Sequence, residues 1–278
     1  EIIDMSAKMM RWIVYGVAVL VCAGMAQAQW VTIGDPGNAV DSDTSDGAVD
    51  YTFQILDHEV TIAEFTNAWS AGVGDRDEDH WLSTVGSSAP AVEVSLYEAM
   101  AYANWLTTNN GGTALYQDTS GTTADGNPRK TRAQLIADGE FVYAVPTVNE
   151  WVKAGFYDAS VGDGSADNYS QYANGNDLSS PPSTNDWRYG MYSAPGATPW
   201  SSEEQNGTHD IMGNVMEWTE DVDDSGNGEI KGGDYVSSDA WLRKSNSYNP
   251  AATSERTDTG FRIVAIPEPA SIGMLLAA

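Results

Sequence analysis

Apolar residues alternate through residues 50–60, with Tyr51, Phe53 and Ile55 on one face, which predicts a strand with one side buried. The period then changes. Thr61-Ile-Ala-Glu64 sets a hydroxyl three residues before a carboxylate, an arrangement that satisfies free amides at a helix start, and Phe65 and Trp69 continue it as a short helix. The same signature returns at Ser95-Leu-Tyr-Glu98. There Leu96, Ala99, Met100, Ala103 and Leu106 follow the i, i+3, i+4, i+7 spacing of one buried face, and Asn109-Asn110-Gly111-Gly112 predicts the stop. Phe141–Val145 reads as a short strand. Pro146-Thr147-Val-Asn-Glu150-Trp151 opens a third helix with a third capping box.

Between these elements the chain is polar. Residues 107–132 are rich in Gly and Thr and end in the basic cluster Arg129-Lys130-Thr-Arg132, which reads as an exposed insertion with solvated charges. Residues 158–206 are loop-like throughout, a length that needs aromatic side chains or ions to hold it, and Tyr169, Tyr172, Trp187, Tyr189, Tyr192 and Trp200 are available. The acidic stretch Asp221–Glu229 begins like an EF-hand loop, but its twelfth position is Gly232 where the bidentate Glu belongs, so a hairpin turn is the better account. No internal repeat of 20–50 residues is evident. The pattern is that of an α+β domain with little regular secondary structure and long loops.

Composition narrows the partners. The 278 residues carry 40 Asp+Glu against 13 Lys+Arg, a formal charge of −27, which excludes a grip on nucleic acid and on anionic membrane surfaces. With 41% apolar residues and ten Trp, the chain can still fill a substantial core. Lys8 and Arg11 precede an apolar run of roughly fourteen residues that ends at Ala26-Gln27-Ala28, the layout of a secretory signal peptide and short of the ~20 residues that span a bilayer. The sole cysteine, Cys22, lies in that leader, so the mature chain has no disulfide, thiolate nucleophile or thiolate metal site. His58, His80 and His209 are scattered and suggest no metal cluster.

A series of motifs in fixed order carries a resemblance. Val94–Leu106, Val145-Pro-Thr-Val-Asn-Glu150-Trp151, His209-Asp210-Ile-Met-Gly213-Asn214-Val215-Met216-Glu217-Trp218, Lys231-Gly-Gly-Asp-Tyr235 and Thr259-Gly-Phe-Arg262 resemble the formylglycine-generating enzyme, or sulfatase-modifying factor, domain family. The resemblance implies an elaborated C-type-lectin-like α+β fold over 29–265, which with the leader and tail divides the chain into a 1–28 signal peptide with an over-extended start, a 29–265 domain and a 266–278 tail. Active members bind copper(I) with two cysteines between Gly-Gly-x-Tyr and Gly-Phe-Arg. Here that stretch has none, and soft copper(I) is not held by Lys or Ser, so neither copper nor formylglycine-generating activity is expected. The resemblance further implies a structural calcium ion held by Asp210, Glu217 and the carbonyls of Gly213 and Val215, a hard anionic nest in which a buried Glu217 would gain a cation. Pro267-Glu-Pro269 and the apolar run after it resemble a truncated PEP-CTERM sorting signal.

The expected protein is therefore exported to the periplasm, outer surface or extracellular matrix of a Gram-negative bacterium, and meets a membrane only through its sorting signals. The preferred role is a calcium-stabilised binding module for a glycan, peptide or matrix polymer, with contact residues between Trp241 and Arg256. The alternatives are a protein-modifying oxidoreductase of the formylglycine-generating type and a structural component of an exopolysaccharide matrix.

Overall fold

The computed structural model describes residues 30–74, 87–118, 124–160, 167–175 and 204–267. The expected leader and the tail beyond Pro267 lie outside the described residues, as do Cys22, His80, Trp187, Tyr189, Tyr192 and Trp200.

The main sheet is antiparallel, in the order β1 (Trp30–Ile33), β2 (Phe53–Leu56), β9 (Val264–Ile266), β5 (Val142–Ala144). Ile55 of β2 registers with Val31 on one side and Val264 on the other. As the alternation predicts, Phe53 and Ile55 are fully buried. The strand is shorter than the 50–60 run because the chain is needed elsewhere after Leu56. Asp57 O accepts from His209 N at 2.6 Å, and Val60 N donates to Phe261 O at 2.8 Å, so this backbone leaves the sheet to hold two later loops.

Helices α1 (Ile62–Trp69), α2 (Leu96–Asn109) and α4 (Val148–Phe156) start at the expected caps, each with both halves of its capping box formed. Ser95 Oγ accepts from Glu98 N at 3.3 Å while the Glu98 carboxylate accepts from Ser95 N at 2.8 Å. On α2, Leu96, Ala99, Met100 and Ala103 are fully buried and Leu106 is half-buried. Tyr102 stacks on Phe65 of α1 at 5.6 Å and meets the edge of Phe261 at 5.5 Å, which ties both helices to the Gly-Phe-Arg segment.

The stretch 107–132 departs from the expectation of an exposed insertion. It contains the hairpin β3 (Tyr116–Asp118) and β4 (Ala124–Pro128), with Leu115 and Tyr116 buried, and it leads into α3 (Arg132–Asp138), capped by Thr131 and Gln134. Its basic cluster is paired, and its last member is shielded from water. Arg129 meets Glu140 at 2.5 Å, Lys130 meets Asp138 at 2.5 Å, and Arg132, its side chain only 10% exposed, reaches Glu150 at 3.1 Å and Glu220 at 2.5 Å.

A second sheet runs β7 (Gly228–Lys231), β6 (Met216–Val222), β8 (Thr259–Gly260), with β6 antiparallel to β7 and parallel to β8. The acidic stretch between β6 and β7 is the turn expected of it: Asp223 accepts from Ser225 N at 2.8 Å and from Asn227 N at 2.9 Å. Around α4 a smaller core gathers Trp151, Val152, Phe156, Tyr169, Tyr172, Ile211, Met212 and Leu242. Tyr169 and Tyr172 thus anchor part of the long loop, as its length required. Among the described residues no helix is long and apolar enough to cross a membrane.

Candidate functional site

Three glycine-bearing segments converge beside β6. Gly213 N donates to Gly232 O at 2.9 Å, Tyr235 N donates to Asn214 O at 3.1 Å, and Gly260 registers with Glu217 across the parallel ladder. The close approach excludes larger residues. A Cβ on Gly232, whose φ is +92°, would stand 2.6 Å from Ile211 O and 3.3 Å from the Trp151 ring.

Under this junction lies a buried ion pair. Arg262 Nε donates to Glu217 Oε2 at 2.7 Å, its Nη2 donates to Oε1, and Trp151 Nε1 donates to Oε2 at 2.8 Å. The remaining guanidinium donors reach Leu56 O at 3.2 Å and His209 O at 3.0 Å. Arg262 and Glu217 are both fully buried. Burial opposes the guanidinium charge, but Glu217 outweighs it and holds the Arg262 pKa above its ordinary value. Nearby, burial pushes the Glu204 carboxyl up to about 7, against the opposing pull of Arg262. It accepts from Thr208 Oγ1 at 2.9 Å and from the amides of Ile211 and Met212 at 3.3 Å.

Asp210, Gly213, Val215 and Glu217 are brought onto one bend that feeds β6, with φ of 60° at Asp210 and 95° at Gly213. Both Glu217 oxygens face Arg262 or Trp151, so this buried carboxylate has a guanidinium as counter-ion, supplied from 45 residues away in the chain. Among the described residues no three His, Cys, Asp or Glu side chains are placed to hold a metal ion.

On the outer side of the junction is a groove of about 390 Å³ lined by Met216, Asp234, Val236, Ser237, Ser238, Trp241, Tyr248 and Arg256. A 3₁₀ turn, Asp239–Leu242, presents Trp241 to solvent while its last residue, Leu242, is locked into the smaller core. Trp241 and Tyr248 remain 44% and 45% exposed, and Val236 74%. The Arg256 guanidinium lies 5.2 Å from the Tyr248 ring centre and is paired with Asp258 at 2.7 Å. Ser237 Oγ donates to Asp234 Oδ1 at 2.5 Å, closing the loop.

The groove contains three residues of the expected contact stretch, Trp241, Tyr248 and Arg256, and adds Met216 and the 234–238 loop, which sequence reasoning had not assigned to a surface. The loop packs closely on the turn before it: a Cβ on Gly233, whose φ is +70°, would stand 2.9 Å from Leu242 and 3.1 Å from Ser237, a closeness the double glycine could have signalled. For copper(I) the donor set does not fit: among the lining residues only Met216 carries sulfur, a single thioether with no thiolate beside it. No nucleophile in the lining has a histidine base at hand. What the groove offers is two ring faces, hydroxyls, one carboxylate and one guanidinium.

A sequence model described as the sulfatase-modifying factor enzyme 1-like domain matches residues 18–266. No curated protein matches the chain. Three solved structures share the fold. Treponema denticola variable protein 1 is 17% identical with a TM-score of 0.56, over 89% of this chain and 98% of that one. CarF is 22% identical with a TM-score of 0.59, over 86% of this chain and 98% of that one. PvdO from Pseudomonas aeruginosa is 19% identical with a TM-score of 0.51, over 86% of this chain and 91% of that one. The α+β architecture expected from the residue patterns is therefore the fold observed.

Proposed function

Because the chain belongs to the sulfatase-modifying factor enzyme 1-like domain family while its groove holds no thiol, we propose that it is an exported binding module that docks an uncharged glycan beside Trp241. The observation that carries this reading is the pairing of two half-exposed aromatic faces, Trp241 and Tyr248, with the hydroxyls of Ser237 and Ser238 in one concavity. Sugar rings present an apolar C–H face and a rim of hydroxyls, which match a ring surface and a hydroxyl edge. An acidic polymer is disfavoured by the −27 charge, and the groove's single guanidinium is already paired with Asp258.

An array of neutral oligosaccharides tests it. Purified protein is expected to bind a member of the array, and Trp241→Ala is expected to weaken that binding about tenfold, equivalent to about 1.4 kcal/mol. Thermal stability is expected to stay within about 0.5 kcal/mol, because the side chain is half-exposed. Capture of peptides and no sugar would transfer the groove to a peptide ligand. Copper-dependent aldehyde formation on a cysteine peptide would restore the oxidase reading.

A further inference from the structure

Asp234 follows the double glycine, and one of its two carboxylate oxygens closes the turn that borders the groove. Oδ1 accepts from Val236 N at 3.2 Å and from Ser237 Oγ at 2.5 Å, while Asp234 N donates to Ser237 Oγ at 2.9 Å. Oδ2 accepts from no described residue, although Asp234 lines the groove and is only 5% exposed. Asn or Ser closes such a turn as well, so a carboxylate is more than the turn requires. It is also costly where it stands. The chain already carries −27, and a largely buried anion without a partner has given up water and gained nothing for it. The one cation in the lining, Arg256, is spent on a different carboxylate: Nε donates to Asp258 Oδ1 at 2.9 Å and Nη2 to Oδ2 at 2.7 Å. That grip leaves Arg256 Nη1 without an acceptor among the described residues. Beside the rings of Trp241 and Tyr248 the groove thus holds an unused acceptor and an unused donor.

We propose that Asp234 Oδ2 is the specificity-determining acceptor of this groove: it receives a hydrogen bond from a hydroxyl of a neutral sugar and repels the carboxylate of a uronic acid. This deepens the glycan reading of the Trp241 groove and rests on it. Ring faces stack on any sugar with an apolar side, so they supply affinity and little discrimination. An acceptor-only oxygen on a buried stem discriminates sharply, because a ligand that lacks the hydroxyl leaves it unpaired. Arg256 Nη1 is free to donate to a second ligand oxygen, and an acceptor with a donor is the pattern that a sugar diol matches. A uronic acid brings another negative charge to the same place, where Asp258 already holds the guanidinium that could have offset it.

The test screens the full mature chain and its Asp234→Asn variant on the neutral oligosaccharide array and on the same array oxidised at C6 to uronic acids. Asparagine keeps an oxygen for Val236 N and Ser237 Oγ and sets a donor where Oδ2 stood, so the melting temperature should stay within about 2 °C. Binding of the neutral sugar should fall at least about tenfold, while that of the uronic acid holds or improves. A residue that only closes the turn would lower both ligands alike, and that result overturns the assignment. The parent protein gives a second measurement should the variant fail to fold. Among deoxyfluoro analogues of the best-bound sugar, fluorine at one ring position should weaken binding about tenfold, because it removes the hydroxyl donor and little else. If fluorination is harmless at every position, or if Asp234→Asn binds the neutral sugar like the parent while Trp241→Ala does not, the groove reading stands and Asp234 has no part in it. Sugar binding that survives Trp241→Ala, or none at all, overturns the groove reading and this assignment together. Hits confined to sugars with a protonated amine overturn it too, since Asp234 would then hold an ammonium.

Discussion

Arg262 sets how much negative charge this part of the interior holds, because four of its five donors are spent on Glu217 and two carbonyls. Breaking the pair from one side leaves a bare buried charge. Arg262→Met is expected to cost about 3–5 kcal/mol in urea denaturation, and the double variant Arg262→Met with Glu217→Leu to recover much of that loss, because no unpaired ion then remains. Two other groups write themselves into the pH profile. Glu204 has its pKa raised from 4.5 to about 7 by burial, so its contribution to stability is fully present below pH 4.5 and is lost as pH climbs through about 7. His58 is raised from 6.5 to about 9: burial opposes its charge, but hydrogen bonds to Asp57 and Glu64 prevail. Its contribution is full below pH 6.5 and fades as pH rises through about 9. Melting temperature followed across pH should therefore decline in two windows. Glu204→Gln should flatten the lower one and His58→Asn the upper; a single change that flattened neither window would show these assignments to be mistaken.

Helix starts were legible because a capping box is a local object: two side chains three residues apart satisfy each other's backbone, and nothing distant is required. Thr61, Ser95 and Thr147 all follow that rule. Thr131–Gln134 follows it too, and was obscured only by the basic residues around it. Glu150 shows how a cap is drawn into the tertiary structure, since the carboxylate that accepts from Thr147 N at 2.7 Å also takes the Tyr51 hydroxyl at 2.6 Å and Arg132 at 3.1 Å. Thr147→Ala is accordingly expected to cost about 1 kcal/mol, the usual worth of a cap, whereas Glu150→Ala should cost at least twice as much because it also strips Arg132 of a buried partner. Urea melts of the two variants give the ratio; equal losses would mean that Glu150 acts as a cap and nothing more. Strands were harder to place. With two to seven residues each, their identity is decided by partners such as Ile55 and Val264, which lie at opposite ends of the domain. The same distance hid the role of Glu217. Its acidity and burial could be anticipated from the motif, but the guanidinium that meets it could not, and the hydrogen bond from Asn214 to Glu59 spans 155 residues.

Among the described residues, Lys153, Lys231, Lys244 and Arg262 are buried and Arg132 is nearly so, while most carboxylates stay at the surface of a chain with 13 basic and 40 acidic residues. Lys244 meets Asp41 at 2.7 Å with both side chains shielded from water, so added salt has little access to that pair. Repulsion between surface carboxylates, in contrast, is screened over a Debye length that shrinks to about 10 Å at 0.1 M salt. Raising sodium chloride from about 0.01 M to about 0.3 M in the presence of chelator should therefore raise the melting temperature, since the term it weakens opposes folding and the ion pairs it could weaken are mostly covered. Binding of a neutral sugar at Trp241 should be nearly indifferent to the same change, because ring stacking and hydroxyl contacts involve no net charge. A fall in melting temperature with salt would mean that exposed pairs such as Lys130 with Asp138 contribute more to stability than the excess of like charge removes. Loss of sugar binding with salt would assign Arg256 a charged partner in the groove, and with it an acidic ligand instead of a neutral one.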